Sequence, residues 1–308
     1  MDTYQDQPAA RGIAAGPIIT APGGLPGAVL DPDLNYEVSS PEEGRAAVEE
    51  LSRKGAGQIK VYLQGEANGV LYPMLDQATL EAIVEASHQK GMLVRAHVTY
   101  IPLLEMAVTA GVDTIEHIPL NLPSAEMDQE AQEVRSQMLA SPDPLEAFFE
   151  VFPDYPYQLK IMADRGTILV PTLDRPWREL FQLSSQDPEL AAVMEIILGL
   201  VGRFDEMGGS VGLGTDFNIN INMPAGIPLG ELEMLQAAGL EPLAVIEAGT
   251  KNAAVACGLS DQLGTLEPGK IADLIVVAGD PLQDLMVLED VMLVIKDGLI
   301  AFEFNPDE

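Results

Sequence analysis

One local pattern occurs three times along the chain and constrains its fold more than any other feature. In each copy a helical segment ends at a glycine, an apolar run follows, and a polar residue lies in or just after the end of that run. The copies are HQKGMLVRAHV, VTAGVDTIEHI and MADRGTILVPTL. Glycine is the usual residue just after a helix, because it adopts the left-handed backbone conformation there without a steric penalty. Helices that alternate with short apolar strands predict a parallel sheet in an α/β fold, with functional residues at the carboxyl ends of the strands.

The alternation of strands and helices extends over residues 12–260. The predicted strands are residues 13–20, 58–63, 92–98, 112–117, 167–173 and 210–215, and the predicted helices include 41–54, 76–90, 102–110 and 242–257. Residues 118–166 form an acidic helical insertion placed to roof a pocket, and a second excursion covers 174–207. After Gly258 the pattern changes to short apolar runs at 273–277, 291–295 and 299–302. Turns at Pro268-Gly269, at Gly279-Asp280-Pro281 and at Gly298 flank these runs, and together they predict a small β appendage.

Charge excludes several classes of function. The chain carries 48 acidic and 16 basic residues, a net charge of −32, which repels phosphate backbones and anionic lipids. We therefore expect no nucleic-acid or membrane partner. The acidic residues are spread along the whole chain and are not concentrated in a tail. The acidity therefore has two open explanations: adaptation for solubility or high salt, and neutral drift. With no run of about eighteen apolar residues and no basic apolar leader, the sequence predicts a soluble, cytoplasmic protein.

Four polar residues lie at or near the ends of predicted strands. His97 and His117 end two of them, Lys60 lies inside QIKVYL, and Asp216 ends SVGLGTD. Each alone has an ordinary explanation: a pocket histidine, a lysine at a sheet edge, an aspartate that caps a helix. Because strand ends converge in a barrel, the set favours a metal site, and imidazoles suit Zn²⁺.

Lys60 is the unusual member of this set, because burying an ammonium group beside a dication is costly. If the site lowers its pKa, the neutral amine can add CO₂ and become a carbamate, which reverses the charge and supplies oxygen ligands. Asp216 would either bind the metal or accept a proton from a water molecule that the metal acidifies. His88 lies near the end of a predicted helix and Cys257 lies inside one, and both are expected to be structural. Cys257 is the only cysteine, so it has no internal disulfide partner.

At these residues the chain resembles the amidohydrolase superfamily, in particular the imidazolonepropionase-like and prolidase-like hydrolases. The segments that carry the resemblance are IKVYLQG, VRAHV, DTIEHIP, ILVPTL, VGLGTDF and the tail EAGTKNAAVACGLSDQLGTLEPGKIADLIVVAGDPLQD. Together they cover nearly the whole chain. The resemblance implies a (β/α) TIM-like barrel in residues 1–258 and a remnant of a β-sandwich in residues 259–308.

The resemblance also assigns roles to the polar residues. It implies that a carbamylated Lys60 bridges two metal ions and that His97 and His117 bind the second of them, with Asp216 as the base or as a ligand of the first. It implies hydrolysis of amide or cyclic-amide bonds in a small-molecule substrate, by metal-activated water with an aspartate base. Residues that follow the strand ends would contact the substrate: Tyr100, Asn121 and Phe217. Arg95 and Arg175 are the nearby cations, and Arg95 either lines the site or faces the surrounding helices.

One departure from the family pattern limits these expectations. The first barrel strand of the family ends in His-x-His, and this sequence contains no such motif. The segment GPIITAPGG resembles the third barrel strand, so the chain shows six strands where a closed barrel has eight, and strands one and two are missing. We therefore expect an incomplete barrel, one zinc ion in preference to two, and a homo-oligomer that covers the open flank. The alternative is an inactive truncated relative that serves as a binding or assembly partner.

Overall fold

The computed structural model describes residues 11–67, 70–120, 129–216 and 226–305. Its strands are β1 (Ile18–Thr20), β2 (Asn35–Glu37), β3 (Ile59–Leu63), β4 (Glu66–Ala67), β5 (Val70–Leu71), β6 (Val94–Val98), β7 (Thr114–Glu116), β8 (Ile168–Val170), β9 (Leu274–Val277), β10 (Val291–Lys296) and β11 (Leu299–Glu303). Its α-helices are α1 (Pro41–Arg53), α2 (Gln77–Gln89), α3 (Ile101–Ala110), α4 (Gln129–Leu139), α5 (Pro144–Val151), α6 (Tyr155–Arg165), α7 (Asp174–Leu183), α8 (Pro188–Glu206), α9 (Leu229–Ala237), α10 (Pro242–Gly249) and α11 (Lys251–Ala256).

A six-stranded sheet in the order β2-β1-β3-β6-β7-β8 forms the centre of the fold, and all its strands are parallel. Beyond β8, Val211 adds a single parallel bridge to Leu169. The described residues contain two smaller sheets, the antiparallel pair β4-β5 and the antiparallel sheet β11-β10-β9. The α/β fold with an incomplete parallel barrel is therefore confirmed.

The two faces of the central sheet differ because its strands alternate apolar and polar residues. Ile59, Val61 and Leu63 of β3 are fully buried, as are the alternate valines and alanine of β6, and they form the core with the surrounding helices. The residues between them point to the inner face, which carries the polar side chains. Periodicity of two along the sequence thus fixes which side chains can meet at the site.

The helix ends follow the signals in the sequence. Ser40 caps α1 by accepting the N–H of Glu43, and Asp76 caps α2 by accepting the N–H of Thr79. Gly111 ends α3 in the left-handed conformation, with φ of 84°. The predicted helix 242–257 was wrong as a single element, because the backbone departs from helical geometry at Thr250 and divides it into α10 and α11.

The sheet has six strands as predicted, but not the same six. Residues 210–215 contribute only the bridge at Val211, so the prediction of a strand there was wrong. Gly212 and Gly214 lie so close to β8 that a Cβ at Gly214 would be 2.4 Å from Cγ1 of Val170. The sixth strand is β2, which pairs with β1 and was missed because Asn-Tyr-Glu contains no apolar run.

The C-terminal end of α11 covers part of the inner face near the amino ends of the strands. Ala256 packs against Ile168 and Val170 of β8, and its carbonyl oxygen accepts a hydrogen bond of 2.9 Å from Nη2 of Arg95. Cys257, which follows, is half-buried. Among the helices that the structure describes, none combines the length and apolarity needed to cross a bilayer.

Candidate functional site

The register of the central strands brings the polar residues of the inner face into rows. Lys60 of β3 lies opposite Arg95 of β6, and one step further Tyr62 lies opposite His97. His97 in turn lies opposite Glu116 of β7. His117 directly follows β7, so His97 and His117 lie at the carboxyl ends of neighbouring strands. Lys60 lies on the inner face of β3, two residues before the level of His97.

The two histidines face each other at close range. The ring centroids of His97 and His117 are 4.5 Å apart, with an angle of 70° between the ring planes. On the other side of His97, the ring of Tyr62 stacks at 3.8 Å with the planes 10° apart. Burial lowers the pKa of both imidazoles, and the amine of Lys60 lowers them further. Both rings are therefore held neutral, which is the form that binds a metal ion.

The tautomer of His97 is fixed by Gln64. The Nε2 of Gln64 donates to the carbonyl oxygen of Glu66 at 2.7 Å, which leaves the amide oxygen facing Nε2 of His97 at 2.9 Å. Because an amide oxygen only accepts hydrogen bonds, Nε2 of His97 carries the proton. The lone pair of Nδ1 is left for another ligand.

The tautomer of His117 is fixed by Thr172 in the opposite sense. The hydroxyl of Thr172 donates to the carbonyl oxygen of Pro171 at 2.7 Å and lies 2.6 Å from Nδ1 of His117. A hydroxyl has one proton, so Nδ1–H of His117 must donate to the threonine oxygen if both contacts are hydrogen bonds. The free lone pair of His117 is then on Nε2.

Three residues around the site have backbones in the left-handed region. The φ angles are 72° for His117, 53° for Thr172 and 49° for Asp216. Such conformations cost about 1–3 kcal/mol each for residues other than glycine, and threonine is β-branched, which makes its case the more strained. His117 directly follows β7, Thr172 lies two residues after β8, and Asp216 lies in the segment after the bridge at Val211. The strain is therefore concentrated where the candidate site lies.

Lys60 lies in a network of buried charges. Burial lowers the pKa of its amine, the nearby Glu116 opposes this effect, and Arg95 adds to it. The carboxylate of Glu116 is already held by Arg95 at 3.0 Å and by the hydroxyl of Thr114 at 2.6 Å. Burial and Arg95 thus lower the pKa of the Lys60 amine, which makes the neutral form more accessible, and only a neutral amine can add CO₂. Arg95 lies on the inner face, which decides between the two positions expected for it.

Asp216 lies at the rim of the site. Its Oδ2 accepts a hydrogen bond of 2.9 Å from Nη1 of Arg175, and its side chain is 53% exposed. Its charge raises the pKa of His117 and of Lys60, which shows that it is within electrostatic range of both. The structure thus places Asp216 within electrostatic range of two of the other three residues, but pairs it with an arginine.

The remaining sequence predictions have mixed outcomes. Tyr100 precedes α3 and packs its half-buried ring against the main apolar core. Asn121 and Phe217 lie outside the described residues. His88 is paired with Asp113 at 2.9 Å on the surface, as a structural histidine would be. Sequence reasoning missed the roles of Gln64 and Thr172, although both follow apolar strand runs as the catalytic candidates do.

Comparison with known proteins gives consistent results. The profile of the amidohydrolase family matches residues 6–301. Ochratoxinase from Aspergillus niger is 27% identical over 278 residues, covering 85% of this chain and 50% of that protein. Imidazolonepropionase from Symbiobacterium thermophilum is 34% identical over 76 residues, or 25% of this chain and 18% of that protein. The crystal structure of a Xaa-Pro dipeptidase with bound methionine in its active site superposes with a TM-score of 0.67 at 29% identity, covering 95% of this chain and 68% of that one. The chain spans about half the length of the ochratoxinase it matches.

Proposed function

The chain belongs to the amidohydrolase family, and from this premise we propose that it hydrolyses carbon–nitrogen bonds of amide or cyclic-amide substrates. The observation that carries the proposal is the pair of neutral imidazoles, 4.5 Å apart, whose free nitrogens are selected by Gln64 and Thr172. Relatives named as a Xaa-Pro dipeptidase and an ochratoxinase are consistent with this class of reaction. The substrate would be a small molecule.

The donor set fits one zinc ion if Lys60 is carbamylated. Among the described residues, no three His, Cys, Asp or Glu side chains are arranged to hold a metal ion. The imidazoles of His97 and His117 supply two donors, and the carbamate of Lys60 would supply the third. Zinc with three protein ligands polarises a carbonyl group and acidifies water.

Asp216 would serve as the proton acceptor of the reaction. It is the exposed carboxylate at the rim beside His117, and Arg175 holds it in place through one oxygen. The second oxygen is left to take a proton from water and deliver it to the leaving nitrogen. Tyr100, Asn121 and Phe217 stay candidates for substrate contacts.

Metal content measured together with activity tests this proposal. Protein produced in cells that are grown with zinc and bicarbonate should contain one zinc ion per chain. It should hydrolyse some members of a panel of N-acyl amino acids, proline dipeptides and cyclic amides. Exhaustive chelation should abolish the activity, and zinc with bicarbonate should restore it. Activity that survives complete removal of the metal would contradict the proposal.

The position of Gln64 leads to a prediction about zinc affinity. In Gln64→Leu, His97 loses the acceptor that holds its proton on Nε2, so the free lone pair is no longer confined to Nδ1. We expect zinc to bind about 10- to 100-fold more weakly, as measured by competition with a chelator. Gln77→Leu is the matched control, because the amide of Gln77 donates a hydrogen bond to Glu81 on the surface of α2, away from the candidate site.

The second candidate function is that of an inactive relative that binds a ligand or partner. It is favoured by the arrangement of the side chains, because among the described residues no three His, Cys, Asp or Glu side chains are placed to hold a metal ion. Protein that carries no metal after growth in zinc and bicarbonate, yet binds amide-containing compounds without turnover, would support this function over hydrolysis.

We also propose that the chain forms a homo-oligomer. Its domains are proposed to be residues 1–258 and residues 259–308. Among the described residues no strand pairs with the outer edge of β2, and the small sheet of β9, β10 and β11 exposes Leu299 and Ile300 by 73% and 63%. We expect light scattering to give a multiple of 32.9 kDa. A thermally stable monomer would contradict this expectation.

A further inference from the structure

Glu231 is a buried carboxyl group with two backbone partners. It lies in α9, its exposed fraction is 0%, and its two oxygens accept the N–H groups of Leu173 at 2.8 Å and Asp174 at 2.6 Å. These two amides form the beginning of α7, where backbone N–H groups lack partners within the helix. A residue from a distant part of the chain therefore holds the corner between β8 and α7.

The same corner holds two residues of the candidate site. Thr172, whose hydroxyl fixes the tautomer of His117, immediately precedes the amide that Glu231 binds. Arg175, which pairs with Asp216, follows one residue after the second amide. The strained φ of 53° at Thr172 must be maintained by its surroundings, and the bond to the Leu173 amide fixes the peptide plane directly after it.

The contact between α9 and α7 leaves no room for a side chain beside Glu231. A Cβ at Gly230 would lie 2.4 Å from Nη2 of Arg178 and 2.6 Å from both carboxylate oxygens of Asp174. Arg178 in turn binds Asp174 and Glu233, which closes the contact on its other side. The glycine thus permits the close approach that lets Glu231 reach the backbone.

We propose that Glu231 is a positioning residue that fixes the tautomer of His117 through the Leu173 amide and Thr172. The importance of this tautomer for catalysis rests on the proposed function, but the tautomer itself does not. Replacing one carboxylate oxygen by an NH₂ group places a donor against a backbone donor, so Glu231→Gln cannot bind both amides. A purely structural role would change the stability of the protein and leave the tautomer as it was.

Nitrogen NMR of the metal-free protein tests the proposal, because it reports which ring nitrogen of a histidine carries the proton. The chain contains only three histidines, so their signals can be assigned individually. At pH 8 the wild-type protein should show His117 protonated on Nδ1, and Glu231→Gln should convert it to a mixture of tautomers. The signals of His97, held by Gln64, and of His88, held by Asp113, should not change. The control is Glu233→Gln, which removes the carboxylate that Arg178 binds but leaves Glu231 in place. It should leave the tautomers of all three histidines as in the wild-type protein. An unchanged His117 in folded Glu231→Gln would overturn the proposal.

A measurement on the wild-type protein keeps the proposal testable if Glu231→Gln does not fold. The amide protons of Leu173 and Asp174 should be protected from exchange with solvent at pH 8. Gly230→Ala should reduce this protection, and His117 should then occur as a mixture of its two tautomers. Rapid exchange of both amides in the folded wild-type protein would overturn the proposal. Because neither measurement needs substrate or zinc, failure of the hydrolase function and failure of the positioning role are distinguishable.

Discussion

Replacing Lys60 with alanine is expected to remove bound zinc and hydrolytic activity together. His97 and His117 supply only two nitrogen donors, so the site loses its third protein ligand with the carbamate. The expected result is a zinc content close to zero after dialysis and a rate equal to that of the uncatalysed reaction. Replacing His117 with alanine should have the same consequence, because it also leaves only two of the three proposed protein ligands.

The control for Lys60→Ala is Lys90→Ala, which removes a surface lysine paired with Glu49. This variant should retain both zinc and activity. Loss of the Lys60 amine is not expected to unfold the protein, because burial already disfavours its charge, and circular dichroism checks this point. A Lys60→Ala protein that keeps stoichiometric zinc and the wild-type rate would contradict the proposed ligand set.

The central part of the candidate site could be predicted from sequence because it depends on strand periodicity. A residue such as Lys60 or His97, placed between buried apolar neighbours, can only point to the inner face, and neighbouring parallel strands bring such residues together on that face. The groups that fix the tautomers could not be predicted in this way. Gln64 and Thr172 act through individual hydrogen bonds beyond the strand ends, where no periodic pattern fixes the direction of a side chain.

The errors at the edges of the sheet have the same physical origin. Strand β2 consists of Asn35, Tyr36 and Glu37, which form a strand because β1 offers an unpaired edge and not because of their own propensity. Residues 210–215 have the apolar composition of a strand, but their glycines follow the surface of β8 and pair only at Val211. Tertiary context decided both cases.

The stability of the protein should depend on pH through Glu231. Burial raises the pKa of its carboxyl group from 4.5 to about 7. Below pH 4.5 the group is protonated in both the folded and the unfolded chain, so it does not affect stability. Between these values the unfolded chain releases the proton and the folded chain keeps it, so stability falls as the pH rises and is constant above about 7. A shift of this size corresponds to about 3 kcal/mol.

The titration of the other carboxylates must be separated from that of Glu231, because the chain contains 48 acidic residues. Urea unfolding of the wild-type protein and of Glu231→Gln at a series of pH values does this, since the glutamine does not titrate. The difference in unfolding free energy should move by about 3 kcal/mol in favour of the variant between pH 4.5 and 7.5. Glu233→Gln, an exposed group on the same helix, should show no such movement. A difference that is independent of pH would mean that Glu231 is ionised throughout, with its two backbone N–H bonds outweighing the cost of burial.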